Sequence, residues 1–132
     1  MPFDNVISSN REVLNFTSAI DLTANRYRAV RIYASYTVSQ VSATSNPIIG
    51  IQENTPLSGT GRAVRVCTNG VTLAVASGAF TAGAMLTIDA NGQLSAANTS
   101  TQIRVAIAID SAAAASEVVS VLVRPDNSIF PA

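Results

Sequence analysis

The sequence predicts an all-β fold: one antiparallel β-barrel or sandwich domain with an extended N-terminal arm and at most one short helix. Three observations lead there. Apolar residues repeat with a period of two along much of the chain, and turn formers recur at short spacing. The apolar content is 48% with only 5% aromatic residues, so the core must be built from Val, Ile, Leu and Ala, which suit sheets. At 132 residues, a single compact domain is expected.

Taken in order, residues 1–25 mix polar turn formers with Phe3, Val6, Ile7, Leu14, Phe16 and Ile20 without a sustained period, which reads as an extended arm ending in a turn. From Arg28 the period becomes two. Val30, Ile32, Ala34, Tyr36 and Val38 share one face of an expected half-buried strand. Ser42 to Pro47 is a loop by composition, closed by a proline that lacks a backbone donor.

Arg62 to Thr68 alternates again and runs directly into Asn69-Gly70, the dipeptide most typical of a tight hairpin turn, with Val71, Leu73 and Val75 expected to face the core on the way back. A second hairpin is expected from Met85–Asp89 and Gln93–Ala97 around Ala90-Asn91-Gly92. Ile103 to Asp110 reads as a strand burying Ile103, Val105, Ile107 and Ile109. Asp110 to Glu117 is compatible with a capped helical turn or with a small-residue loop, and Val118 to Val123 closes the core as a final strand. The expected organisation is thus an arm over 1–25, a β-domain over 26–125 and a tail over 126–132. A strand–loop–strand echo links IIGIQ and AVRVC with AIAID and SVLVR, about 57 positions further on.

Composition closes many functional classes. Eight Arg balance eight acidic residues, leaving no net charge to draw in nucleic acid or an anionic membrane. There is no His, Lys or Trp, which removes the imidazole base, the imidazole metal ligand, the Schiff-base amine and the phosphate-loop lysine. Cys67 is the sole cysteine, so neither an intrachain disulfide nor a thiolate cluster is available. No secretory signal pattern and no apolar run of about 18 residues is present. No enzyme activity, cofactor or metal is expected. Charged residues are 12%, about half the usual share, and a surface so thinly charged favours association with other chains.

Candidate chemical features each have a plainer reading. Arg26, Tyr27, Arg28, Arg31, Tyr33 and Tyr36 concentrate cations and aromatics as a base-stacking strip would, yet a zero net charge favours a solvated or interface-facing strand. Cys67 alternates with Val64 and Val66 and has no His or Lys to activate it. Asp89 and Asp110 end strands, where turns recruit Asp. Gly59-Thr60-Gly61 begins like a phosphate-binding fingerprint but lacks a third glycine and a following helix.

The stretch from Pro47 to Ala97 carries, in order, a glycine-bearing strand (Ile49-Gly50-Ile51), Pro56 and Gly59, an alternating Val strand, a glycine turn, Thr81-Ala82-Gly83, and an Asp-x-Asn-Gly turn. It resembles the central pattern of the capsid decoration (cement) proteins of tailed bacteriophages. Val105 to Val123 is similar to that family's closing strand, Ala-rich loop and final strand; the family typically has a longer gap-filling loop, and glycine where Ala106 or Ala108 stands here. The resemblance implies a structural virion protein, made in the host cytoplasm, that binds the major capsid protein on the outer shell surface. It implies that the protein clamps neighbouring capsomers as a homotrimer, with no direct contact to nucleic acid or membrane. The expected interface residues are Phe3, Val6, Ile7, Arg11, Leu14 and Phe16 of the arm and Phe130 of the tail. A tail or fibre component is the alternative on the same particle. A small carbohydrate-binding domain is the alternative from another class, handicapped by the lack of Trp.

Overall fold

A computed structural model describes residues 11–97 and 102–124. They form nine strands: β1 (Glu12–Ser18), β2 (Ala29–Ala34), β3 (Thr37–Gln40), β4 (Gly50–Gln52), β5 (Ala63–Val75), β6 (Met85–Ile88), β7 (Leu94–Ala96), β8 (Ala106–Ala108) and β9 (Val118–Val123). The all-β barrel expected from the sequence is what the chain forms, with no helix among the described residues. β1, β3, β2, β4 and β5 close into a five-strand barrel through the antiparallel β1–β5 pair. Its neighbours are antiparallel except for β1 and β3. A second set runs β5, β9, β8, β6, β7, and a parallel bridge from Ala76, just beyond β5, to Leu94 of β7 brings it back on itself. β5 therefore belongs to both.

The strand shared by both rings replaces the hairpin expected at Asn69-Gly70. β5 continues through that dipeptide as a single strand of 13 residues. Its first half pairs with β1 and β4, and its second half with β9. The reason is local: Gly70 has φ of 112°, whereas Asn69 is not among the positive-φ residues, and a two-residue hairpin of the usual Asn-Gly type needs both. One left-handed residue bends a strand without reversing it. A register shift opposite Glu12/Val13 skips Thr68, as a bulge does, at the same place. Because no turn resets the alternation, Val64, Val66, Thr72, Ala74 and Ala76 are the buried set, while Leu73 is exposed and Val71 and Val75 are half-buried. The expected inward face of the returning strand is thus the outward one.

The single strand expected from Arg28 to Val38 is instead a hairpin. β2 and β3 pair antiparallel around a turn at Ser35 and Tyr36, with Tyr36 at φ of 55°. This leaves Ile32 and Tyr36 exposed while Val30 and Val38 are buried. Part of the expected arm is also sheet: Glu12–Ser18 is β1, hydrogen-bonded to β5 along its length, while residues 1–10 lie outside the described ones. In the Ile103–Asp110 strand the burial phase slips. Val105 and Ala106 are both buried and Ala108 follows, so small side chains face inward along β8, Ile107 is half-buried and Ile109 is exposed. The Asp110–Glu117 segment is a loop, held by backbone bonds exchanged between Ala112 and Phe80. The second hairpin is as expected: β6 and β7 pair around Ala90-Asn91-Gly92, and Asp89 Oδ1 accepts from the amides of Asn91 and Gln93, both at 2.9 Å. Both copies of the sequence echo are antiparallel strand pairs, β4–β5 and β8–β9.

Two cores result. Leu22, Val30, Val38, Val64 and Val66 pack one, with Phe16 and Ile49 against it. The larger core gathers Ile88, Leu94, Val121 and Val123 from the second set, and also Ala29 of β2 and Ile51 of β4. β4 and the start of β2 thus bury both faces, and the barrels are packed as one body. β4 lies close against its neighbour β5. A Cβ on Gly50 would lie 2.1 Å from the Cys67 carbonyl oxygen, so only glycine fits. The Gly92 carbonyl accepts from Ala29 N at 2.8 Å, docking the β6–β7 turn onto the start of β2.

Buried polar groups pin the crossing. Gln52 is fully buried; its Nε2 donates to the carbonyls of Leu22 (3.0 Å) and Asn54 (2.9 Å), and its Oε1 accepts from Asn25 Nδ2 at 3.1 Å. Every polar atom of this side chain has a partner, as a buried amide requires. Next to it, the Glu53 carboxylate accepts from Arg11 Nη2 and Thr72 Oγ1 and lies 3.5 Å from Arg65 Nε. β1's approach, β4's end and both halves of β5 meet at this one acid. Cys67 is buried beside it, and its thiol pKa is pushed up by burial first and by the Glu53 charge second.

Two predictions follow from the packing. Gly50→Ala forces backbone apart and should lower stability by about 2 kcal/mol or more, whereas Gly78→Ala meets open space at an ordinary φ and should be neutral or slightly stabilising. Urea unfolding of the two variants checks this, and equal losses would refute it. Cys67 should resist a water-soluble thiol reagent until the chain unfolds. Its folded pKa is raised, so the neutral thiol's contribution is intact below its ordinary value of 9.0 and is lost as pH rises through the higher folded value. Cys67→Ala should flatten that alkaline loss in a pH series of melts.

Candidate functional site

Near the bend in β5 the surface sinks into an open groove of about 730 Å³. β1 contributes Leu14 and Phe16, the approach to β4 contributes Ile48 and Ile49, and the bend itself contributes Thr68 and Asn69. Met85 of β6, Ala106 and Ile107 of β8, Arg104 and Arg124 complete it. The apolar part of its lining, which Thr68, Asn69 and the two arginines interrupt, has a simple origin. Phe16 and Ile49 pack on the rim of the first core, and Met85 and Ile107 are direct cross-strand partners in the second set. Leu14 is 51% exposed. The groove is therefore a seam between the two barrels, and among the described residues the charged groups in its lining are two arginines.

A second surface feature is the tip of the β2–β3 hairpin. The β2–β3 tip exposes Ile32, Tyr33 and Tyr36, the last at 82%. It is not a loose loop. The Tyr36 carbonyl accepts from both Thr17 N (3.0 Å) and Thr17 Oγ1 (3.2 Å), and Thr37 Oγ1 donates to the Ser35 carbonyl at 3.0 Å. A tyrosine held at positive φ costs on the order of 1 kcal/mol or more, and the bonds to Thr17 hold it there. Arg31 lies over the Tyr33 ring at 5.6 Å.

Of the expected interface residues, Leu14 and Phe16 do come together in the groove. Arg11 is engaged in the ion pair with Glu53. Phe3, Val6, Ile7 and Phe130 lie outside the described residues. Ile49, Met85, Ile107, Arg104 and Arg124 were not singled out by sequence, because the groove draws on strands far apart in the chain and no local pattern joins them.

The chemical candidates resolve into structure. Asp89 caps its own turn. Gly59 and Gly61 take positive φ in a loop whose Gly59 carbonyl accepts from Ser18 Oγ, and no helix follows. Arg26 stacks 4.5 Å over Tyr27, whose amide donates to the Gln52 carbonyl, so that part of the aromatic strip is tied into the crossing. Asp21, at the surface, has its carboxyl pKa lowered by bonds from the Thr23 amide and hydroxyl. Among the described residues no three His, Cys, Asp or Glu side chains gather as metal ligands, and no helix is long and apolar enough to cross a membrane.

None of the curated proteins compared matches this chain. Among solved structures it is similar to the N base of the head fiber protein gp8.5 in bacteriophage phi29, with a TM-score of 0.63 at 11% identity, covering 92% of this chain and 99% of that one. At that identity the likeness concerns the fold. The model of the phage cement protein family matches residues 9–125, which takes in both barrels, the shared strand and the groove between them. The chain belongs to the phage cement protein family and is a structural protein of a bacteriophage.

Proposed function

We propose that this protein binds the outer surface of a phage capsid as a homotrimer and ties neighbouring capsomers together, without catalysing a reaction. The observation that carries the reading is the cement-family match over residues 9–125. The physical features support it. A surface with few charges costs little to desolvate, and the groove and the tyrosine-bearing tip offer apolar area on a rigid frame. A ligand that binds only the closed shell stabilises it by mass action, by about 2.7 kcal/mol per site at a hundredfold excess over Kd. Many copies add up over one particle. Expected contacts outside the described residues, Phe3, Val6, Ile7 and Phe130, belong to this proposal, as do Leu14 and Phe16. Synthesis in the host cytoplasm and assembly onto the finished shell complete it.

The fold likeness to a head fiber base favours a second reading, in which the same domain is the foot of a fibre on the head. Copy number separates the two, since a clamp is needed at every seam and a fibre foot at far fewer places.

Full-length protein mixed with undecorated capsids should co-sediment with them to saturation and raise the temperature at which they release DNA. Failure to co-sediment would refute the proposal. Saturation at a few tens of copies or fewer would favour the fibre-foot reading.

A further inference from the structure

β9 delivers the chain to the groove. Arg124, the residue after β9, donates its amide to the Val105 carbonyl at 2.9 Å and is itself part of the groove lining. Pro125 follows, and without an N–H it cannot continue the ladder, so the chain turns off the sheet at the groove's edge. Residues 125–132 (Pro-Asp-Asn-Ser-Ile-Phe-Pro-Ala) lie outside the described ones and start from this point.

We infer that this C-terminal tail folds back into the groove of its own copy, with Asp126 beside Arg124 and with Ile129 and Phe130 against the apolar wall of Leu14, Phe16, Met85 and Ile107. Reach, the order of its chemistry and the character of its rivals select it as the occupant. The path begins within the lining, and the six residues from Arg124 to Phe130 span up to about 20 Å when extended. Gly70 pairs with Val123, which sets Asn69 beside Arg124, so the groove is polar where the tail enters it. The tail is polar there too, with Asp126, Asn127 and Ser128, and turns apolar only at Ile129 and Phe130. A carboxylate next to a guanidinium makes a charge-assisted bond at the entrance, and a groove of about 730 Å³ is large enough to bury most of the surface of two such apolar side chains. The rivals fit less well. Residues 98–101 (Asn-Thr-Ser-Thr) carry neither charge nor a large apolar side chain. Residues 1–10 join the described fold at Arg11, which is bound to Glu53 and is not in the lining. This docking does not rest on the capsid reading but alters it at one point. Leu14, Phe16 and Phe130 cover one another in the free protein, so a shell gains those contacts only by lifting the tail.

Fluorescence of the full chain, free of capsids, tests the docking, because the sequence has no Trp of its own. Phe130→Trp places one indole on the tail, with Ile129→Trp as a second probe should the first fold poorly. A seat that buries roughly 70% of the ring should make acrylamide quenching at least about threefold weaker than for free tryptophanamide, with the emission shifted to the blue. Added to Phe130→Trp, Leu14→Ser should restore the quenching, whereas Leu57→Ser, at an exposed position outside the lining, should not. Refolding the Phe130→Trp chain with an excess of the Leu14→Ser chain shows whose groove is filled, since protection survives only if each tail seats in its own copy. Three results would each overturn the inference: quenching as strong as that of the free compound, protection indifferent to Leu14→Ser, or protection lost in the refolded mixture. Co-sedimentation with capsids decides the capsid proposal separately, and its failure leaves the fluorescence result standing.

Discussion

The structure depends on one strand serving two barrels. β5 must present side chains to two separate cores and hydrogen bonds to two sets of neighbours, and this is possible only if it bends without ending. Gly70 supplies the bend, since a residue with a Cβ is strained at φ of 112°. The bulge opposite Glu12 and Val13 absorbs the extra residue on the outside of the curve. Everything that distinguishes this molecule from a lone small barrel comes from that arrangement. The seam groove lies at the bend, and β2 sends Ala29 into the larger core and Val30 into the smaller one.

A shared strand alone would leave two barrels free to swing about the bend. The crossing is made stiff by groups that reach over it. Gln52 holds the 22–25 turn and the end of β4 in one network, Tyr27 links the Gln52 carbonyl to the Val75 amide, and Glu53 gathers Arg11, Arg65 and Thr72 from either side of the bend. Such a cluster of polar atoms is costly where it is buried unless each is satisfied, and here all the hydrogen-bonding atoms of the Gln52 side chain are, while Arg11 Nε is left without a partner among the described residues. The cluster sits where rigidity matters, because the walls of the groove belong to different barrels and keep their spacing only if the barrels do.

How much of this was legible in the sequence follows from how local each feature is. The all-β class, the β6–β7 hairpin and β9 rest on alternation and on Asp89-x-Asn91-Gly92, signals contained within a dozen residues, and they read correctly. Asn69-Gly70 misled because the same dipeptide serves a bend and a reversal, and the choice depends on whether β9 waits alongside to pair with Val71–Val75. The Ser35–Tyr36 turn was hidden because a single Ser inside an alternating run carries little turn signal and tyrosine seldom takes a positive φ, and Thr17, from another strand, holds the conformation. β1 was unreadable as a strand because Leu14 and Asn15 are both exposed, so its burial does not alternate. Of the candidate surface, Leu14 and Phe16 were found from their apolar character alone. Met85, Ile107 and Arg124 were invisible, since each looks ordinary in its own strand and acquires a role only where two barrels meet.

The central claim, that one continuous strand makes the two barrels a single cooperative body, is tested most directly by hydrogen exchange of the β5 amides under mildly denaturing conditions. The account predicts that protected amides before the bend, such as Val64 and Val66, and after it, such as Thr72 and Ala74, exchange with the same opening free energy and the same denaturant dependence. Two distinct opening energies dividing at Gly70 would contradict it, and would mean that the barrels unfold independently on either side of a hinge.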